Sequence, residues 1–358
     1  MALATNRVTL IDGRWIGIGG PGRVAENLLR GLQEIAPEGR FAVWGPDRVA
    51  DLLWPGAEHV LSRHHAKAWY SQREFPGPRA IGADIAYYPH QLRPGWRLAP
   101  IEVTTIHDTI PFRYPGSRLM GTVTRAHFHW MARLSTLIVT DSEFSKRSLQ
   151  TDLRVSAERV RVLPLPIDHD GAARVRALRE TVPRSERVVF LGRDAPHKNL
   201  DRLVRAMGRS AFGSGGGVLT LIGVDGPAEE RLATVARASG ATVEFPGIVD
   251  QDRLEELLAS ARLLVQPSLE EGFGLPAAEA IAAGIPVAVS TGGSLPEITQ
   301  GQVEPFDPFD VEAIAEAIDA TIASGFVPDV TFPHPRDFAA SALDAIEAAR
   351  SLGHRQLR

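Results

Sequence analysis

The 358-residue sequence contains no cysteine. Disulfide frameworks, thiolate catalysis and cysteine-ligated zinc are therefore excluded. The same absence fits a reducing compartment. Long hydrophobic runs are also missing, and no stretch approaches the ~18–20 apolar residues of a membrane span. The N-terminal residues lack the apolar core of a signal peptide. The expected location is cytoplasmic, with any membrane contact peripheral and at the inner face. Basic excess is absent too: the formal net charge is −4. A general nucleic-acid binder needs a basic footprint, so no nucleic-acid partner is expected. Short internal repeats and long low-complexity tracts do not occur, and nothing in the sequence speaks to oligomeric state.

What is present is an ordinary globular balance, 44% hydrophobic and 23% charged, in a chain long enough for two domains of ~150 residues. Short β-branched runs alternate with helical patterns. Strands are expected over 8–11, 101–106, 137–140, 188–191, 218–222, 242–245, 263–266 and 287–290, and a helix over 24–32. This alternation predicts an α/β fold with parallel sheets covered on both faces. The stretch LPLPID over 163–168 marks a boundary, because closely spaced prolines disfavour helix and sheet alike. The expected domains are 1–165 and 184–332, with a charged helix over 172–180 between them. After Pro335, helical spacing of Phe338, Leu343, Ile346 and Ala349 predicts a C-terminal helix over 333–358 that packs back on the first domain.

The densest chemistry lies in EGFGLPAAE over 271–279. A strand ends near Gln266 and a glycine-bearing loop follows. Pro276 suits the first turn of a helix, and Gly284 is placed to cap it. Ligands of open α/β sheets bind beyond the carboxyl ends of strands, where loop amides and a helix start attract anions. Gly272 and Gly274 allow close approach to the backbone. Two carboxylates beside an anion make sense if each accepts hydrogen bonds from hydroxyls, as on a nucleotide sugar. A merely solvated Glu279 is the bland alternative.

A second strand runs into GRDAPHKN over 192–199. Its cations Arg193 and Lys198 suit a diphosphate leaving group; alone, they would read as exposed loop charges. Gly17, Gly19, Gly20 and Gly22 lie in a loop between the first strand and helix, which reads as a phosphate-facing turn or a plain flexible one. It departs from a dinucleotide fingerprint, because no acidic residue follows at the required distance. His107 ends a strand and is a candidate sugar contact or a structural histidine, while Asp108 either orients it or caps the turn. Asp168 and Asp170 have the spacing of a divalent-metal pair, but they fall in the interdomain linker, and no metal is expected. The basic, aromatic stretch over 63–73 reads as an acceptor or anionic-headgroup surface, or as a solvated face.

Together these segments resemble the glycosyltransferase family four group of retaining enzymes (group 1 glycosyltransferases, mannosyltransferase-like). The stretch over 271–279 is similar to the family's E-x7-E signature, and Gly192, Arg193, Lys198 and Asn199 to its diphosphate-binding segment. TTIHDTIP over 104–111, TDSEFSK over 140–146, GIVD over 247–250 and EPFDP over 304–308 are supportive. The resemblance implies the GT-B fold, two Rossmann-like domains facing a central cleft. It implies transfer of a hexosyl group, mannosyl from GDP-mannose by preference, to a hydroxyl of a glycan, lipid-linked sugar or small molecule. Neither metal nor cofactor is implied; the nucleotide diphosphate sugar is a co-substrate. Glu271 and His107 would contact the transferred sugar, Glu279 the ribose, and Arg193 and Lys198 the diphosphate. Amides of Phe273, Gly274 and Leu275, together with Gly19, Gly20, Gly22 and Gly192, would contact sugar and phosphate, and Val249 would lie near the base. Pro21 departs from the family's glycine loop. The rival readings are a nucleotide-sugar 2-epimerase and a non-catalytic sugar-nucleotide-binding protein.

Overall fold

The computed structural model describes residues 8–62 and 81–356. The stretch over 63–73 lies outside the described residues. Two compact units form, one from residues 1–166 with 333–358, the other from residues 167–332.

The first unit holds β1 (Thr9–Asp12), β2 (Phe41–Gly45), β3 (Ala57–Leu61), β4 (Ile85–Tyr88), β5 (Ile101–Thr105), β6 (Leu137–Thr140) and β7 (Val160–Val162). They order as β3-β2-β1-β4-β5-β6-β7, and every pairing is parallel. Parallel neighbours need crossovers, which put helices on both faces. Accordingly β1, β2, β4 and β6 are buried at every residue.

The helix Gly19–Ile35 turns Val24, Leu28, Leu29 and Leu32 inward. Against it, and against β5 and β6, lies the C-terminal helix Pro335–Gln356, burying Phe338, Ala342, Ile346 and Ala349. Small residues bring the two helices close: a Cβ on Gly31 would sit 2.1 Å from the Pro335 carbonyl oxygen.

The second unit holds β8 (Arg187–Leu191), β9 (Val218–Ile222), β10 (Thr242–Gly247), β11 (Leu263–Gln266) and β12 (Val287–Val289), ordered β10-β9-β8-β11-β12 and again parallel throughout. Phe190, Leu221 and Val265 pack with Leu203, Val204, Ile314 and Ile318 of the covering helices in one apolar cluster.

The helix His169–Thr181, left between domains by the sequence reading, belongs to this unit. Its Arg179 donates to the carbonyls of Leu258, Ala259 and Ala261, and its Arg174 pairs with Glu255. Its N-cap is Asp168, whose carboxylate accepts from the Gly171 amide at 2.9 Å. The Asp168 and Asp170 spacing is therefore a helix start. Among the described residues, no group of three or more acidic or histidine side chains has metal-site geometry.

In both sheets the strand order reverses direction, between β1 and β4 and between β8 and β11. The crevice beyond the carboxyl ends at such a reversal is where open α/β sheets receive ligands.

Candidate active site

At the β8/β11 reversal, the chain leaving β8 makes a short 3-10 turn over Pro196–Lys198, and Asn199 then takes a left-handed conformation (φ 61°). The Asn199 side chain is buried and tied down. Its amide donates to the carbonyls of Pro267 (3.0 Å) and Pro308 (2.6 Å), and its oxygen accepts from Arg202. The loop after β8 is thereby fixed to the loop after β11. Edge to edge, the Gly192 amide reaches Ile222 and the Gly223 amide reaches Gly247.

This framework brings Lys198 onto Glu271. The ammonium pairs with Oε1 of a carboxylate whose side chain is only 9% exposed. The same oxygen accepts from the Gln266 amide (2.6 Å) and the Ser268 hydroxyl (2.8 Å). Burial alone would raise the Glu271 pKa. The Lys198 charge and the three hydrogen bonds outweigh it and hold the carboxyl below its ordinary range. Nearby, burial and the Lys198 charge push the His197 pKa down. Main-chain positions are fixed as well, since the Ser294 hydroxyl donates to the carbonyls of Glu271 and Phe273.

Gly274 follows with φ 99° and is the N-cap of the helix Leu275–Ala282, with no side-chain cap over its first amides and Pro276 in the first turn. A positive φ of this size favours glycine. Glu279 is half-buried, one turn further on. Arg193 is exposed, and no ion pair of its own occurs among the described residues. Val249 lies half-buried on the loop that leaves β10.

In the first unit, β5 and β6 are neighbours, so His107 beyond one meets Asp141 beyond the other: Nδ1 lies 2.8 Å from the carboxylate. Asp108 accepts from the Ile110 amide at 3.0 Å, so it caps the turn, and its charge adds to the upward shift of the His107 pKa. Burial lowers the His107 pKa, but the Asp141 charge and hydrogen bond overcome this, and the net shift is upward. Nε2 of His107 is buried on the side of the Pro89 carbonyl, which also favours the protonated ring.

The glycine loop separates into two kinds of position. A Cβ on Gly19 or Gly20 meets nothing within 4 Å, whereas one on Gly22 would lie 2.3 Å from the Trp15 carbonyl. Gly22 is buried, and its smallness lets the helix start pack against the Trp15 carbonyl.

Asp141, Gln266, Ser268 and Ser294 went unread in the sequence, although each of the first three is a polar residue at or just past the end of an apolar strand. A buried trio also went unread. Asp12 accepts from Arg14 at 2.9 and 2.7 Å, and His90 lies 3.3 Å from the same carboxylate, at the β1/β4 reversal.

Residues 177–339 match the family model described as Glycosyl transferases group 1. Over these residues the chain is similar to that family. The MMP alpha-(1->4)-mannosyltransferase of Mycolicibacterium hassiacum is 33% identical over 170 residues, 47% of this chain and 40% of that protein. The O-antigen chain mannosyltransferase B of Escherichia coli is 29% identical over 252 residues, 65% of this chain and 62% of that protein. These matches thus span less than two thirds of either relative's length. Anabaena HepE, solved with UDP and glucose, superposes with a TM-score of 0.66 at 16% identity, covering 98% of this chain and 99% of that one. The family match and this likeness identify the architecture as GT-B.

Proposed function

We propose that the chain is a retaining, metal-independent glycosyltransferase that moves a hexosyl group, mannosyl by preference, from a nucleotide diphosphate sugar to a hydroxyl of a glycan, lipid-linked sugar or small molecule. The observation that carries the reading is the Lys198–Glu271 pair at the β8/β11 reversal, beside an uncapped helix start.

The chemistry follows from that pairing. As the glycosidic bond breaks, negative charge grows on the departing diphosphate. Exposed Arg193, together with Lys198 and the amides of Gly274 and Leu275, opposes that charge without reorganising. Three donors already engage Oε1 of Glu271, so Oε2 is the oxygen offered to a sugar hydroxyl. Glu279 serves the ribose diol, Val249 and its loop the base, and the amide of Phe273 the sugar. In the first unit, His107 serves the transferred sugar, and the open space over Gly19 and Gly20 admits a phosphate. The acceptor attacks from the face the leaving group vacates, and a phosphate oxygen takes its proton. The mannosyl preference rests on the names of the two relatives.

A thermal-shift screen of nucleotide sugars, followed by product analysis with the best binder, tests this. The expected result is a stabilisation that grows with ligand concentration, largest for GDP-mannose, and release of nucleoside diphosphate only when acceptor is added. No shift from any nucleotide sugar would refute the assignment.

A further inference from the structure

The outermost strand of the second sheet is β12. Phe306 makes the one bridge on its free edge among the described residues. The Phe306 amide donates to the Val289 carbonyl at 3.0 Å, and its carbonyl accepts from Thr291 at 2.9 Å. Main-chain groups two residues apart on a strand point the same way, so those of Val287 face that edge too. There the edge opens on a cavity of about 560 Å³, walled by Val287, Ala288, Phe306 and the half-exposed Phe326. Its far wall is the helix Val311–Ser324. Ile314 and Ile318 of this helix face the core, while Ala313, Ala317 and Ala320, four and three residues apart, face the cavity. Alanine along that stripe leaves the space that larger side chains would fill. The rim is fixed: the Gln302 side chain donates to the Asp329 carbonyl at 3.0 Å and accepts from its amide at 2.9 Å. An unpaired strand edge is a template for another chain.

The charge around this edge has one sign. Residues 263–333 carry eleven Asp and Glu and no Lys, Arg or His. On the other flank of the helix the carboxylates are engaged. Glu312 pairs with Arg209, and Asp319 accepts from the amides of Ala211 and Phe212. Glu304 and Glu316, both exposed at the cavity, have no ion pair among the described residues. Apolar walls with two unneutralised carboxylates repel nucleic acid and anionic lipid, and they complement a cation carried on an apolar chain. A small amine would use the carboxylates but not the strand edge. An extended segment bearing basic and apolar residues uses both. Its backbone pairs with β12, an apolar side chain enters the cavity, and Lys or Arg reaches Glu304 and Glu316.

We infer that the free edge of β12 and the cavity beside it dock an extended basic segment of a partner protein. None of the residues assigned to the donor lines this cavity, so the inference is independent of the donor assignment and needs no turnover to test. The labelled peptides fluorescein-KVRLKVR-amide and fluorescein-EVELEVE-amide are titrated with the full chain, and binding is read by polarisation. The basic peptide should bind at least about tenfold tighter, and salt should weaken it. Glu304→Gln with Glu316→Gln should lower its affinity roughly tenfold. Ala320→Phe, at an exposed position, should plug the cavity and lower affinity by about as much. Circular dichroism confirms folding, and the charge and salt dependence of the unaltered chain stands without any variant. Equal binding of the two peptides, or basic-peptide binding that ignores both sets of changes, overturns the inference. So does displacement of the peptide by spermidine at equal concentration, which would reassign the cavity to small amines. A dimer in solution that the glutamate changes dissolve also overturns it, because a second copy would then cover the edge.

Discussion

Lys198 and His107 both sit in half-sequestered ion pairs, and the two pairs respond to pH in opposite senses. Glu271 is held below its ordinary pKa, so its contribution to stability is full above the unfolded value near 4.3 and lost as pH falls through the folded one. Lys198→Ala leaves that carboxylate buried without its cation. The variant should melt below the parent at pH 7, by a difference worth about 1–3 kcal/mol given the partial exposure of the lysine. The gap should narrow as pH drops below about 4. A gap that stays constant from pH 7 to 3.5 would show that the pair is not what holds Glu271. His107 is shifted upward. Its pair contributes fully below the unfolded value near 6.5 and is lost as pH rises through the folded value. Asp141→Asn should therefore cost more stability at pH 5.5 than at pH 8.5, the reverse of Lys198→Ala. Thermal melts across that range check the sign, and the same change should move the alkaline limb of any activity profile downward.

Among elements, the glycines of the helix Gly19–Ile35 separate packing from binding. Gly31 sits against the Pro335 carbonyl, and Gly31→Ala should cost about 1–3 kcal/mol by forcing two helices apart. Gly20 has open space around it, so Gly20→Ala should gain up to about 1 kcal/mol of helix stability. If that space receives a phosphate, the same variant should show a raised donor KM. Paired melts and donor titrations distinguish the two roles, and a more stable variant with unchanged KM would remove Gly20 from the donor site.

These elements were unevenly legible. Strands β9 and β11 match the residue patterns at both ends, because their apolar runs are bounded by polar and glycine residues. The strands β2, β3, β4 and β7 were missed. Edge strand β3 is AEHVL, partly exposed throughout; β7 has three residues; β2 and β4 are short buried runs that periodicity cannot tell from helix. The site follows the same rule. Glu271 to Glu279 is one continuous string, so the sequence displays it. The pairing of His107 with Asp141 spans 34 residues and exists only because β5 and β6 are parallel neighbours. Nothing in the string said that Lys198 would face Glu271.

At the scale of the whole molecule, the chain order and the spatial units disagree, and this has a thermodynamic consequence. The first unit is discontinuous: residues 333–358 return to it after the second unit is complete. Phe338 and Ile346 are nearly fully buried there, each worth about 1.5–3 kcal/mol relative to exposure. The second unit draws its apolar cluster from residues 188–322, none of them in that helix. Ending the chain after Phe332 should therefore act on one unit only. Calorimetry of the intact chain with and without nucleoside diphosphate identifies the transition of the second unit, since ligand raises it by mass action. In the shortened chain that transition should keep its temperature and its ligand response, while the first unit's transition falls by roughly 10–20 °C, as expected for a loss of several kcal/mol from a unit of this size. If both transitions fell together, the units would be one cooperative body, and the C-terminal helix would stabilise the donor half as much as the half it packs on.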